Sequence, residues 1–361
     1  MTTTQQAGGA SPVDFETFGD YGDFRRKQAP AANPGEAVPA ATAGRRPAVT
    51  GEGEAGGDTR GVAPPGQHGE FVRPAYPFQG RITADGSSGY PAVAGRYHLY
   101  ISWACPWAQR SAIVRKLLGL EDVISLSALD PVRDGRGWAF REGPGHSLDP
   151  VNGFALLREA YDATEPGYDG HISVPVLWDR ETSRIVSNNF PDITIDLDTQ
   201  FTAWSNGADL YPAALRPEID AINATVYENV NNGVYRAGMA TAQAAYHDAV
   251  TRIFATLDEL EQRLAGRRYL LGEPLTEADV RLWVTLARFD AVYYSHFKAN
   301  LRRLTDYPRL WAYARDLYSR RAFRDTTNFD HIKRHYYMTH SHINPSRIVP
   351  DGPLIEWDAP R

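Results

Sequence analysis

Tyr97–Leu120, YHLYISWACPWAQRSAIVRKLLGL, is the stretch that most restricts how this chain can fold. Aromatic and β-branched residues alternate over Tyr97–Trp103, which predicts a strand. The period then changes. Ala112, Val114, Leu117 and Leu118 recur at helical spacing, and Gly119 follows as a stop signal. Between strand and helix stand Cys105 and Pro106. A proline fits the first helical turn, where a missing N–H costs nothing. The residue before it sits beside amides that have no helical partner, and those donors favour a thiolate over a thiol. Cys105 is the single cysteine among 361 residues. A lone cysteine is more often an inert core residue, but this placement predicts a nucleophile. With no second cysteine, a mixed disulfide on Cys105 must be resolved by an outside thiol.

The pattern around this junction extends it into a small mixed sheet with helices on its faces. Val123–Leu129 reads as a second strand. Ser173–Asp179 and Ser183–Asn189 read as two more joined by a turn, and Asp192–Leu197 starts a helix after Pro191. Residues 130–170 read as a long Gly-rich connection. Beyond about residue 205 only helices are predicted: Ala245–Gly266, Leu275–Tyr294 with a capping box from Thr276 to Asp279, and Tyr307–Arg320. The domain reading is therefore 69–204 for the sheet unit, 205–340 for an all-helical unit and 341–361 for a C-terminal extension. Residues 1–68 read as a mostly disordered extension. Residues 29–68 are dominated by Ala, Pro and Gly and cannot bury enough apolar surface to offset their ordering entropy. Phe15–Arg26 has aromatics that could dock, but a loose tail is the expectation there too.

A net charge of −6 without a basic block points away from nucleic acid and membrane surfaces. No apolar run approaches the roughly 18–20 residues of a membrane span, and the N-terminus has no signal-peptide pattern. With one cysteine and no internal disulfide, the expectation is a cytoplasmic protein; no tightly bound cofactor is expected.

Longer motifs narrow the reading. ITADGSSGYPAVAGRYHLYISWACPWAQR (Ile82–Arg110), NNGVYRAGMATAQAAY (Asn231–Tyr246), LTEADVRLWVTLARFDAVYYSHFKAN (Leu275–Asn300), HIKRHYY (His331–Tyr337) and INPSRIVPDGP (Ile343–Pro353) stand in order along the chain. In these the chain resembles the glutathionyl-hydroquinone reductases, or Xi-class glutathione transferases, from about Gly69 to Pro353. The resemblance implies an α/β thioredoxin-like N-terminal domain, an all-α C-terminal domain and a homodimer. It implies a low-molecular-weight thiol as cosubstrate and reduction of thiol-conjugated hydroquinones. Cys105 matches the catalytic position and Trp138 an aromatic that packs on the thiol. Val174, before a cis Pro175, would offer its backbone to that thiol. Tyr235 and Tyr293 match tyrosines on the hydroquinone side, where a phenol can assist protonation of the ring carbon. Tyr336 and Tyr337 read as packing residues.

The family usually continues its fourth strand into Asn-Asn-Glu-Ser-Ser-Glu, whose Glu-Ser pair grips the γ-glutamyl end of glutathione. Here the stretch is SNNFPD, Ser187–Asp192, with Asn189 for the Glu and Phe190 for the Ser. Gln109 also replaces a frequent His. Asn188, Asn189 and Asp192 could instead bond hydroxyls, and Phe190 could pack on a sugar face. Glutathione and mycothiol are therefore both expected candidates, the second also because the Ala-, Arg-, Gly- and Pro-rich composition fits a GC-rich genome. An omega-like thioltransferase or dehydroascorbate reductase, and a non-catalytic binding module on the same fold, are the competing functions.

Overall fold

The computed structural model describes residues 8–21 and 68–358. The expected disordered stretch 29–68 thus lies almost wholly outside the described residues. Strand β1 (Tyr97–Ile101) leads through the Cys105 turn into α2 (Pro106–Leu117), as expected; the short α1 (Phe15–Phe18) precedes them. β2 (Ser125–Ala128) runs parallel to β1, with Leu99 opposite Leu126. β3 (Val176–Asp179) pairs antiparallel with β1, and β4 (Arg184–Ser187) antiparallel with β3. The sheet order is β2-β1-β3-β4, the mixed four-stranded sheet of a thioredoxin-like unit.

Tyr97, Leu99, Tyr100 and Ile101 are all fully buried, in keeping with an interior strand covered on both faces. The connection 130–170 holds one helix the sequence did not announce, α3 (Arg158–Thr164). The helix after Pro191 begins two residues earlier than expected, as α4 (Phe190–Gln200), with Pro191 in its first turn.

The remaining chain is helical, as expected: α5 (Arg216–Val226), α6 (Gly233–Gly238), α7 (Gln243–Arg263), α8 (Glu277–Arg288), α9 (Pro308–Tyr318), α10 (Arg321–Arg324) and α11 (Phe329–Thr339). Asp279 reaches back to the Thr276 amide at 2.8 Å, so α8 starts where the capping box placed it. Its end differs: Phe289–Tyr293 winds as a π-helix rather than continuing the α-helix to Tyr294. Trp283 on α8 anchors this half, within 6.1 Å of the Tyr318 ring, 5.7 Å of Phe323 and 5.5 Å of Trp357.

Residues 8–21 do not form the expected loose tail. Ala10 N–H donates to the Phe140 carbonyl at 3.0 Å, and Gly135 N–H to the Gly19 carbonyl at 2.9 Å. Arg136 donates to Ser11 Oγ at 2.6 Å and lies 3.8 Å over the Phe18 ring, while Arg141 donates to the Ser11 carbonyl at 2.8 Å. At the far side Arg347 forms an ion pair with Asp20. Arginine forks bonded to backbone, rather than an apolar face, hold the segment. Hydrophobic patterning does not report such contacts.

Buried histidines make the fold acid-sensitive. His98 on β1 is pushed down to about 3, and His296 to about 4, chiefly by burial. Both folded values lie below the unfolded one, so stability is intact above about pH 6.5 and falls as the pH drops toward 4. The slope is on the order of 1.4 kcal/mol per pH unit per histidine. Urea unfolding at pH 7 and pH 5 should show a clearly lower midpoint at pH 5; equal midpoints would contradict the assignment.

Candidate active site

Cys105 takes an extended conformation as the N-cap of α2, and Pro106 opens the helix. The amides of Trp107 and Ala108 and the charges of Arg288 and Arg133 all favour the thiolate. Burial works against them and is the larger effect, so the thiol is pushed up, not down. This corrects the sequence expectation: the helix start is in place, but desolvation outweighs it. Cys105 is 8% exposed, and its Sγ donates to the Val174 carbonyl at 3.5 Å. Alkylation by iodoacetamide should accelerate about tenfold per pH unit from pH 7 to beyond 8. A plateau already reached at pH 7 would show that the amides and arginines prevail.

The Val174–Pro175 bond is cis, as expected for the strand that faces the thiol. Val174 and Cys105 line one cavity of about 110 Å³, together with Trp138, Tyr235 and Tyr336. Arg73 and Arg133 line it too, with His171 and His335. No carboxylate lies among the described residues of its wall. His335 stacks on Trp138 with centroids 5.2 Å apart and planes 9° from parallel. Its Nδ1 donates to the Pro131 carbonyl at 2.7 Å, and burial holds its pKa well below that of an ordinary histidine.

Tyr336, read from sequence as a packing residue, stands at the centre of the tyrosine cluster. Its hydroxyl lies 2.5 Å from that of Tyr235 and 3.0 Å from that of Tyr293. Tyr293 is not in the cavity wall; it stands behind Tyr235 and Tyr336, with its ring 6.0 Å and 5.7 Å from theirs. Burial raises the pKa of all three phenols, so each keeps its proton at neutral pH and can donate it. Tyr337, next in sequence, bonds Ser295 at 2.5 Å and is a packing residue as expected.

The SNNFPD residues fall elsewhere. Asn188 is fully buried, and its amide is engaged by Tyr161, Ser173 and the Phe78 N–H. Asn189 donates to Asp192 Oδ2 at 2.7 Å, and Asp192 pairs with Arg81 at 3.3 Å. Phe190 is 2% exposed, with its ring 4.6 Å from Trp107 and 5.4 Å from Tyr76. Asn189 and Phe190 line a second cavity of about 370 Å³, whose wall shares Tyr76 with the first. Pro175, Asn188 and Asp192 line neither. Gln109, the other departure, is buried and bonds Thr326, Thr327 and Arg288.

A cysteine at a helix start, facing the Val174 carbonyl just ahead of cis Pro175 beneath an all-helical second half, defines the class: a glutathione transferase fold. The family model for the glutathione S-transferase C-terminal domain matches residues 243–316. The chain is 45% identical to the Escherichia coli glutathionyl-hydroquinone reductase YqjG over 300 residues, 81% of this chain and 92% of that protein. It is 46% identical to the glutathionyl-hydroquinone reductase PcpF of Sphingobium chlorophenolicum over 286 residues, 79% and 90% of the two chains. A glutathione transferase from Gordonia bronchialis superposes with a TM-score of 0.77 at 51% identity, covering 79% of this chain and 89% of that one. The glutathione-bound structure of YqjG superposes with a TM-score of 0.77 at 45% identity, covering 78% and 95%. The chain belongs to the Xi-class glutathione transferase family, which includes the glutathionyl-hydroquinone reductases. No helix among its described residues is long and apolar enough to cross a membrane.

Proposed function

We propose that the protein is a thiol-dependent reductase that cleaves the thioether of glutathionyl-hydroquinones, with Cys105 as its nucleophile. The observation that carries this reading is the cavity that joins Cys105 to Tyr235 and Tyr336. Cys105 gives its proton to water, and the thiolate attacks the sulfur of the conjugate. The carbon–sulfur bond breaks and its electron pair goes to the ring carbon. That carbon takes a proton from the cluster of Tyr235, Tyr336 and Tyr293, the hydroquinone leaves, and water returns the proton to the phenolate. A second glutathione, as thiolate, attacks the Cys105–glutathione disulfide; glutathione disulfide departs and the cysteine is restored. The conjugate is reduced by two electrons that two thiols supply. The related reductases named above support this substrate class, and the glutathione-bound YqjG structure supports the thiol. Assembly as a homodimer in the cytoplasm belongs to the same reading, and analytical ultracentrifugation checks the dimer.

Two observations favour other readings. Phe190, buried where the family has a hydroxyl, removes a grip on the γ-glutamyl group, which favours a thiol without that group, such as mycothiol. The upward-shifted thiol favours a module that binds without turnover. One experiment addresses both: purified protein supplied with glutathionyl- and mycothionyl-hydroquinone side by side. Turnover of the glutathione conjugate at an equal or higher rate supports the proposal. Faster turnover of the mycothiol conjugate replaces the thiol, and turnover of neither leaves the binding module.

A further inference from the structure

The N-terminal segment 8–21 reaches the active site. Tyr21, its last described residue, lies in the wall of the Cys105 cavity. Its ring covers the Arg133 guanidinium at 3.6 Å, and the Trp138 ring lies 4.3 Å from the same guanidinium. Arg133 is 8% exposed and also lines the cavity, its Nε has no hydrogen-bond partner, and no carboxylate pairs with it among the described residues. The nearby acids are engaged: Asp134 by Arg136 at 2.6 Å and Asp130 by Arg141 at 3.0 Å. A guanidinium stripped of water without a counter-charge is costly, and an arriving anion relieves that cost. Two aromatic faces fix the plane of the fork, so less freedom is lost when it binds a carboxylate.

We propose that Arg133, clamped between Tyr21 and Trp138, binds a carboxylate of the thiol cosubstrate and so determines which thiols the enzyme accepts. This rests on the reductase reading only for the identity of the thiol. The N-terminal segment is then part of the binding site, and Tyr21 acts as a positioning residue through Arg133. Gly135 lets the segment approach: a Cβ there would stand 2.0 Å from the Phe18 carbonyl oxygen.

The test compares thiols that differ in one carboxylate: glutathione against its glycine amide, and N-acetylcysteine against N-acetylcysteine amide. Binding is read by tryptophan fluorescence in full-length protein, and turnover of glutathionyl-hydroquinone is measured separately. Wild-type protein should prefer the acid of at least one pair by about tenfold or more. Arg133→Gln should erase the preference, Arg133→Lys should keep part of it, and Tyr21→Ala should weaken acid binding while leaving the amide unchanged. Circular dichroism confirms that each variant is folded. A wild type indifferent to the carboxylate, or one that binds none of the four probes, overturns the proposal, as does a preference that survives Arg133→Gln. Indifference with intact turnover leaves the reductase reading standing; a preference without turnover overturns that reading alone.

Discussion

Cys105→Ser protein should fold normally, still bind thiol ligands and lose turnover of glutathionyl-hydroquinone by roughly 10³-fold or more. Serine is close in size, and the hydrogen bond that the Cys105 thiol donates to the Val174 carbonyl is weak and one that a hydroxyl can also make. The cavity and the helix start are therefore retained. What disappears is the ionisable sulfur, since a serine hydroxyl beside no paired base is a poor nucleophile at neutral pH. Mass spectrometry adds a second readout. Wild-type protein incubated with the conjugate and no free thiol should gain one glutathione on Cys105 and stall after one equivalent of hydroquinone. Turnover that persists in Cys105→Ser, or a wild type that never gains the adduct, would remove the covalent step.

The parts of this site that the sequence displays are those whose chemistry is local. The junction of β1 and α2 is legible because a change of period and a Cys-Pro step lie within a few residues; the cis bond at Pro175 is expected only from the resemblance to thioredoxin-like folds, since the residues alone allow trans equally. The 130–170 connection is not legible because a side chain, not periodicity, organises it. Asp149 accepts from the amides of Val151, Asn152 and Phe154 and from the Tyr100 hydroxyl. Tyr336 and Tyr337 look alike in the sequence and differ only in the direction each leaves α11. The first turns toward Tyr235, the second toward Ser295. The SNNFPD stretch was legible as a departure, but its consequence was not: Phe190 fills space against Trp107 instead of lining the Cys105 cavity. The docking of residues 8–21 depends on arginines more than a hundred positions away, a distance over which no local pattern reports.

The second large effect should come from Arg288, a residue that carries no signal in the sequence and lies wholly buried at the C-terminus of α8. Its Nε donates to the Ala104 carbonyl at 3.0 Å and its Nη2 to the Trp103 carbonyl at 2.9 Å, the two residues before Cys105. Its Nη1 donates to Gln109 Oε1 at 2.5 Å and to the Val284 carbonyl at 2.8 Å. One guanidinium thus fastens the cysteine turn to the helical half and also lends the thiolate positive charge. Methionine matches the stem but leaves these acceptors without donors in a dry interior. Arg288→Met should therefore destabilise the protein by on the order of 3–5 kcal/mol. Lysine restores the charge but cannot reach carbonyls on both sides with a planar fork. Arg288→Lys should therefore recover part of the thiolate stabilisation and little of the stability. In those variants that remain folded, the pH profile of Cys105 alkylation should move to higher pH in Arg288→Met and less far in Arg288→Lys. If both variants unfold at the wild-type urea concentration and alkylate with the wild-type profile, Arg288 neither holds the turn nor tunes the sulfur. Equal losses of stability with an unmoved profile would keep the fastening and discard the electrostatic role.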